Sequence, residues 1–387
     1  MEENVKNNND ATLENSSEKD TASRKKKKLT GFQKGIIITS IAVFLLLIST
    51  LVFIFVYIYS VLDYNHNPIT KEPEVLGFEE VIDEKIINVA LFGIDSRNMN
   101  SFKGRSDSIM ILSVNTKTKK IKIISIMRDT LVPIESGGKT TYSKINSAYA
   151  SGGPELAIKT LNQSFGLDIT EYATVNFGGM MDIIDAVGGI EVTLIEDEVA
   201  PASQGTRGIN NNIAEACGLL GKDPKDYYIL EAGTHTLNGL QAVAYSRIRY
   251  VKNVWGTNND YGRTDRQRFV MQQLFNKAKT LSKDQYLDLV KALVPCTETS
   301  LSPTEILDIA YKIMLNSPTF EQARVPLNEK GKSFLMPAPK GSFGSVAYYD
   351  LGYASKIINA FIYDDITFDE FIAQNPIEKN DWYAARG

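Results

Sequence analysis

The chain starts polar, turns abruptly apolar, and then settles into short alternating segments. Residues 1–34 are rich in Asn, Glu, Lys, Ser and Thr with no apolar period, and read as a disordered tail. Residues 35–62 carry no charged side chain and are dominated by Ile, Leu, Val and Phe. As a helix this run of about 28 residues is ~42 Å long, more than the ~30 Å core of a bilayer, so the pattern predicts one membrane span. Residues 63–85, with Pro68 and Pro73, read as a linker.

From residue 86 the pattern is that of a folded domain. Apolar runs at 89–94, 109–114 and 121–126 predict strands, the last two joined by a polar turn over 115–120. A helix is predicted over 154–165: Pro154 suits a first turn, Ala157, Ile158, Leu161 and Phe165 share a face, and Gly166 ends it. A strand at 173–177, an apolar helix over 180–187 closed by Gly188-Gly189, and alternation at Ile190, Val192 and Leu194 follow. Helices are predicted over 238–246, again from Thr264 through Leu281, and over 303–315. Strands alternating with helices predict an α/β/α layered domain with a central mixed sheet, preceded by a single transmembrane helix. The domain is placed at 86–283. Residues 284–387 are either the rest of its core or an accessory subdomain.

Charge adds a direction to the span. Arg24-Lys25-Lys26-Lys27-Lys28 lies before it and Asp63 after it, so the N-terminus is expected in the cytoplasm and the domain outside. The residues after the span are bulky, without a small-x-small cleavage site, which reads as an uncleaved anchor. Cys217 and Cys296 would then meet an oxidising space and could pair; spacing alone does not decide it. The net charge of -4 gives no bulk attraction to nucleic acid, and no nucleic-acid partner is expected.

The two histidines, His66 and His235, leave no basis for Ser-His-Asp catalysis or a histidine zinc site. There is no nucleophile elbow and no phosphate-binding P-loop; Gly137-Gly138-Lys139-Thr140 reads as a turn. Chemistry concentrates elsewhere. Arg247, Arg249, Arg263, Arg266 and Arg268 crowd one stretch of a chain that otherwise favours Lys. Arg is favoured where a planar fork of donors grips phosphate or carboxylate. Thr264 and Gln267 have capping-box spacing, which would put Arg263 and Arg266 at a helix start, where a bound anion would offset their charge. A solvated basic face is the plain alternative. Loops at strand ends carry Asp95 with Arg97, Arg105 with Asp107, and Arg128 with Asp129. Carboxylates beside arginines suit a divalent cation with a di- or triphosphate.

These motifs carry a resemblance. Leu-Phe-Gly-Ile-Asp-Ser-Arg (91–97), Gly-Arg-Ser-Asp-Ser-Ile-Met (104–110), Ser-Ile-Met-Arg-Asp-Thr (125–130), Lys-Ile-Asn-Ser-Ala-Tyr-Ala-Ser-Gly-Gly (144–153), Arg-Ile-Arg (247–249) and Asp-Tyr-Gly-Arg-Thr-Asp-Arg-Gln-Arg (260–268), behind an anchor, resemble the LytR-CpsA-Psr family of Gram-positive bacteria. The resemblance implies a membrane-anchored phosphotransferase outside the cell. It would move a glycopolymer such as teichoic acid or capsule from a polyprenyl-pyrophosphate carrier to peptidoglycan, at the 6-hydroxyl of N-acetylmuramic acid, releasing polyprenyl phosphate. It further implies Asp95 and Asp107 as ligands of magnesium or manganese. Arg97, Arg105, Arg128, Arg247, Arg249, Arg263, Arg266 and Gln267 would hold substrate. Without a histidine nearby, an Asp must orient or deprotonate the acceptor hydroxyl: Asp260 first, Asp129 second, with Arg128 and Arg249 catalytic beside them. Met127 stands where proline is usual in that family, and the stretch from Arg249 to Asp260 looks long. A polyprenyl-pyrophosphate hydrolase, a non-catalytic wall-glycan binding protein and, on older descriptions of the family, a transcription regulator are the competing readings. The last fits poorly with a short cytoplasmic tail lacking a helix-turn-helix.

Overall fold

The computed structural model describes residues 65–94, 101–201, 207–282, 295–302, 319–327, 334–337 and 343–377, with Ser49, Pro339 and scattered positions between 285 and 309. The chain divides into Met1–Val56 and Tyr57–Gly387, and all described residues but Ser49 belong to the second unit. The polar tail and, apart from Ser49, the apolar run at 35–62 lie outside the described residues, as do Asp95 and Arg97. Among the described residues no helix is long and apolar enough to cross a membrane.

In order, the elements are α1 (Pro73–Leu76), β1 (Ile86–Ile94), β2 (Ser106–Asn115), β3 (Lys120–Ile126), β4 (Leu131–Ser136), β5 (Lys139–Lys144), α2 (Asn146–Phe165), β6 (Glu171–Asn176), α3 (Phe177–Ala186), β7 (Ile190–Leu194), α4 (Glu196–Val199) and α5 (Ile209–Leu220). They continue with β8 (Gly233–Leu237), α6 (Gly239–Ser246), α7 (Asn259–Ala278), β9 (Thr297–Thr299), β10 (Thr319–Val325), α8 (Leu351–Tyr363) and α9 (Phe368–Gln374). Six strands form one mixed sheet in the order β10-β3-β2-β1-β6-β9. β10 and β3 run parallel, as do β1 and β6; the other pairs are antiparallel. The fold is thus mixed α/β around a central mixed sheet.

One face of the sheet presents alternate residues: Phe92 and Ile94 of β1, Ile109 and Ile111 of β2, Ile124 and Ile126 of β3. Against them pack the helical stripes Ile158, Leu161 and Phe165 of α2 and Ile357, Ile358 and Phe361 of α8. Period two meets period 3.6, which is why these residues close a core. Each such side chain, fully buried, contributes roughly 1.5–3 kcal/mol relative to exposure. A second core gathers α3, β7, α5, β8 and α6 around Ile184, Val192, Ile213, Leu240 and Tyr245.

Three departures from the predicted elements have local causes. The helix expected from Pro154 is the second half of α2: Gly152 and Gly153 leave helical geometry, with φ of +68° at Gly153, and Pro154 restarts the helix where no N–H is needed. The hairpin β4–β5 around Gly137-Gly138, both at positive φ, is a primed turn of the type that suits strand twist. Its second strand, Lys-Thr-Thr-Tyr-Ser-Lys, shows no buried residue and hence no alternation to read. α7 begins at Asn259 after the N-cap residue Asn258, five residues before the expected box. The Thr264 hydroxyl donates to Asp260 O at 2.8 Å within the helix instead of capping it, so Asp260, not an arginine, occupies the first turn.

Sequence beyond 283 enters the same sheet as β9 and β10. β10 matters for the site, because Met127 N donates to Val325 O at 3.0 Å, continuing the β10–β3 ladder into the loop that carries Arg128. A proline at 127 has no N–H to give. Met127→Pro is therefore expected to lower stability by about 1–3 kcal/mol, the cost of an unmade buried hydrogen bond, measured by urea denaturation.

Candidate active site

The loop after β3 carries Arg128 and Asp129, the start of strand β2 carries Asp107, the α6–α7 connection carries Arg249, and α7 carries Asp260, Arg263 and Gln267. The loop is fixed from several sides. Thr130 N donates to Met127 O at 3.0 Å, Ile145 N donates to Thr130 O at 2.8 Å, and the buried Thr130 hydroxyl meets Tyr349 OH at 3.0 Å.

On this frame three guanidinium groups converge on two carboxylates. Arg128 Nη1 donates to Asp107 Oδ2, and Arg263 Nη1 stands 3.9 Å from the same oxygen. Asp260 collects all three: Arg249 Nη2 donates to Oδ2 at 2.8 Å, Arg263 Nη2 lies 3.1 Å from Oδ1, and Arg128 Nη2 lies 3.6 Å from Oδ1. Arg128 and Arg249, distant in sequence, therefore share one carboxylate. Asp129 beside them is held by Lys144 Nζ at 2.8 Å. A narrow crevice runs along the cluster, lined by Asp107, Ser108, Ser125, Arg128, Arg263 and Gln267.

The hydrogen bonding is incomplete. The Nε atoms of Arg128, Arg249 and Arg263 and Oδ1 of Asp260 are buried without hydrogen-bond partners. Buried polar groups in folded proteins are nearly always satisfied, so three guanidinium donors left open within one cluster make it a candidate binding site. Three guanidinium groups against two carboxylates leave the cluster net positive, which fits an oxyanion. Electrostatic strain agrees. Burial, then repulsion from Arg128, holds the Arg263 guanidinium below its ordinary value. Burial also opposes the charge on Arg128, but Asp107, Asp260 and Asp129 together raise it.

Burial pushes the Asp129 carboxyl up, yet Lys144, Asp260 and the Arg128 charge together hold it below its ordinary 3.8. A carboxylate depressed on folding stabilises above its unfolded pKa, and that stability is lost as pH falls through the folded value. Asp129→Asn is therefore expected to be less stable than the parent near neutrality, with the gap closing as pH is lowered below about 3.8. Thermal melts across that range check it.

Other expected residues stand apart from the cluster. Arg105 is exposed just before β2. Arg247 caps the end of α6, donates to Glu215 at 2.9 Å and lies over the Phe177 ring. Arg266 faces the interior: it is fully buried, Nε and Nη2 donate to Glu198 Oε1 at 2.8 and 2.6 Å, and Nη1 and Nη2 donate to the carbonyls of Ile248 and Val251 at 3.1 Å. Those carbonyls flank Arg249, so Arg266 and Glu198 position the segment that delivers it. Lys144 and Glu198 were not singled out from sequence; Lys144 sits inside a quoted motif, while Glu198, in Ile-Glu-Asp-Glu-Val, looks like an ordinary solvated turn.

Among the described residues no three His, Cys, Asp or Glu side chains gather as a metal cluster. Cys217 and Cys296 are both free thiols. Asp107 uses Oδ2 for both guanidinium contacts. It lies one residue past Ser106, the register partner of Ile94 at the end of β1. Oxygen donors at this edge are the type a hard cation takes, and magnesium commonly completes its shell with substrate phosphates and water. Asp107 is the described carboxylate at this edge, and Asp95, the other expected ligand, lies outside the described residues.

The LytR_cpsA_psr family model matches residues 52–341. Among curated proteins, Biofilm regulatory protein A of Streptococcus mutans is 32% identical over 281 residues, 69% of this chain and 63% of that protein, so the match spans less than two thirds of that relative. The polyisoprenyl-teichoic acid–peptidoglycan teichoic acid transferase TagU of Bacillus cereus is 32% identical over 270 residues, 68% of this chain and 77% of that protein. Among solved structures, the Bacillus subtilis LytR-CPS2A-psr family protein YwtF (TagT) with bound octaprenyl pyrophosphate lipid superposes with a TM-score of 0.51 at 22% identity, covering 77% of this chain and 99% of that one. At that identity the likeness concerns the fold.

Proposed function

We propose, from the premise that the chain belongs to the LytR_cpsA_psr family, that it is a phosphotransferase moving a glycopolymer from a polyprenyl-pyrophosphate carrier to peptidoglycan. The observation that carries this reading is the meeting of Arg128, Arg249 and Arg263 around Asp107 and Asp260 with their Nε donors open. A pyrophosphate supplies the acceptor oxygens those donors lack. The TagU relatives are named for this transfer, and octaprenyl pyrophosphate occupies a protein of the same fold.

In the proposed reaction the 6-hydroxyl of N-acetylmuramic acid attacks the phosphorus that bears the glycopolymer. The new P–O bond is the phosphodiester, the bond to the bridging oxygen breaks, and polyprenyl phosphate leaves. The hydroxyl proton passes to a carboxylate. Asp260, whose Oδ1 lies 3.1 Å from Arg263 Nη2, is the proposed acceptor; Asp129 is its neighbour and the alternative. Phosphoryl transfer asks chiefly for positioning and charge neutralisation, and Arg128, Arg249 and Arg263 supply both, with Gln267 on the crevice wall. Asp95 and Asp107 would hold magnesium or manganese, which when bound neutralises phosphate charge. Residues 35–62 would anchor the chain as a single span, N-terminus in the cytoplasm and the domain outside, at the surface that holds the carrier lipid.

The test incubates full-length chain with radiolabelled carrier-linked glycopolymer, magnesium and peptidoglycan. Label joined to peptidoglycan, and lost with Arg249→Ala, supports the proposal. Label released to solution would mean a hydrolase, and transfer untouched by Arg249→Ala would leave the cluster without a catalytic role.

A further inference from the structure

Another hollow among the described residues lies apart from the cluster and its crevice. A cleft of about 650 Å³ lies between α7 and β10, within the ~300–1,000 Å³ typical of small-molecule sites. It is walled by Trp255 and Phe269 on one side and by Arg268, Gln272, Gln322 and Arg324 around it. We infer that this cleft is a saccharide subsite, which seats sugar rings next to the reacting phosphate. The inference rests on the proposed transfer and names which part of the substrates the cleft takes.

The placement comes from the helix and the sheet. Asp260, Arg263 and Gln267 run along one stripe of α7, while Asp265, Arg268 and Gln272 run along the next. In the sheet Arg324 of β10 is the register partner of Ser125 of β3. Ser125 lines the crevice and Arg324 lines the cleft. The two hollows are therefore one strand apart and share α7 as a wall. A chain whose end reacts at Arg128 and Arg263 can lay its next units in the cleft.

The lining chemistry selects the class. Trp255 is 48% exposed, yet it is held: its ring packs on Phe269 with centroids 5.3 Å apart. The buried Asn253 accepts from Trp255 N at 3.1 Å and Thr257 N at 2.9 Å. A fixed aromatic face beside half-buried amides matches a sugar ring, which offers C–H groups on its face and hydroxyls at its edge. Arg268 donates to Asp265 at 2.5 Å while its Nε is buried without a hydrogen-bond partner. Asp265 also accepts from Arg324 and Thr257, which fixes the cleft floor. Phe320 adds apolar surface to the cleft, but a polyprenyl tail would cover the Gln272 and Gln322 amides and offer them no hydrogen bonds, so the lining favours a sugar over the lipid.

The sugars have two possible sources, the donor glycopolymer and the peptidoglycan acceptor. Full-length protein carrying Trp255→Ala, and separately Gln272→Ala, is assayed for transfer with donor and acceptor concentrations varied independently. The expected result is a rise of about tenfold or more in one KM with kcat within about threefold. A rise in acceptor KM assigns the subsite to peptidoglycan, and a rise in donor KM assigns it to the glycopolymer. Unchanged KM values for both variants, with transfer intact, overturn the subsite and leave the phosphotransferase reading standing. An effect that varies only with the length of the lipid tail also overturns it. Loss of the transferase reading would show separately, as transfer insensitive to Arg249→Ala.

Discussion

Arg263→Met is expected to lower kcat/KM for transfer by roughly 10²–10³-fold, as when one preorganised donor is removed from a developing charge, and to leave the folded chain as stable as before or more so. The two halves of this outcome have one cause. Burial and the neighbouring Arg128 charge hold the Arg263 guanidinium below its ordinary value. A base whose pKa falls on folding is less favourable in its charged form in the folded than in the unfolded chain. At every pH where it is protonated, that charge therefore destabilises the fold. Arg128 has the opposite sign: Asp107, Asp260 and Asp129 outweigh burial and raise it, so its charge stabilises throughout the range below the ordinary arginine value. Arg128→Met should lose both transfer and stability. Steady-state kinetics beside urea denaturation of the two variants would separate the cases. An Arg263→Met protein that retained transfer, or that unfolded as readily as Arg128→Met, would refute the account. The contrast is what a site built for an anion predicts, because a pyrophosphate between the guanidinium groups removes the repulsion that Arg263 otherwise carries.

Much of this cluster could be read from residue type and place. Asp107, Arg128 and Asp129 stand at strand ends that the apolar runs delimit, and Arg249, Asp260 and Arg263 lie in a stretch where Arg replaces Lys. The helix start could not be placed, because Thr264 and Gln267 imitate a cap while Asn258 supplies the true break. Nor could Arg266 be separated from Arg263. The two are three apart and lie near one face, and what divides them is Glu198, 68 positions away, in a short acidic helix with no periodicity. β10 escaped notice for a related reason. Its buried face carries Ala323 and Val325, but the other carries Phe320, Gln322 and Arg324 over a cleft, so the run reads as mixed rather than alternating.

Glu198→Ala is expected to cost about 3–5 kcal/mol, the effect of leaving a buried charge without its partner. Arg266 and Glu198 are both fully buried, and the guanidinium spends its other donors on Ile248 O and Val251 O. Removing the carboxylate strands a cation in the second core, beside the Tyr245 ring 5.7 Å from its centre. Replacing both partners, Glu198→Leu with Arg266→Met, should recover much of the loss, since an apolar pair need not be desolvated as ions are. Recovery is not expected to extend to catalysis. Without the guanidinium, the carbonyls on either side of Arg249 lose their anchor, and Arg249 loses the backbone placement that brings it to Asp260. The double variant should thus fold but transfer slowly, with its deficit in kcat rather than in stability. Denaturation of the two single variants and the double closes a cycle that measures the coupling directly. If Glu198→Ala stays within about 1 kcal/mol of the parent, the pair is not the strut described, and the position of Arg249 must be set elsewhere.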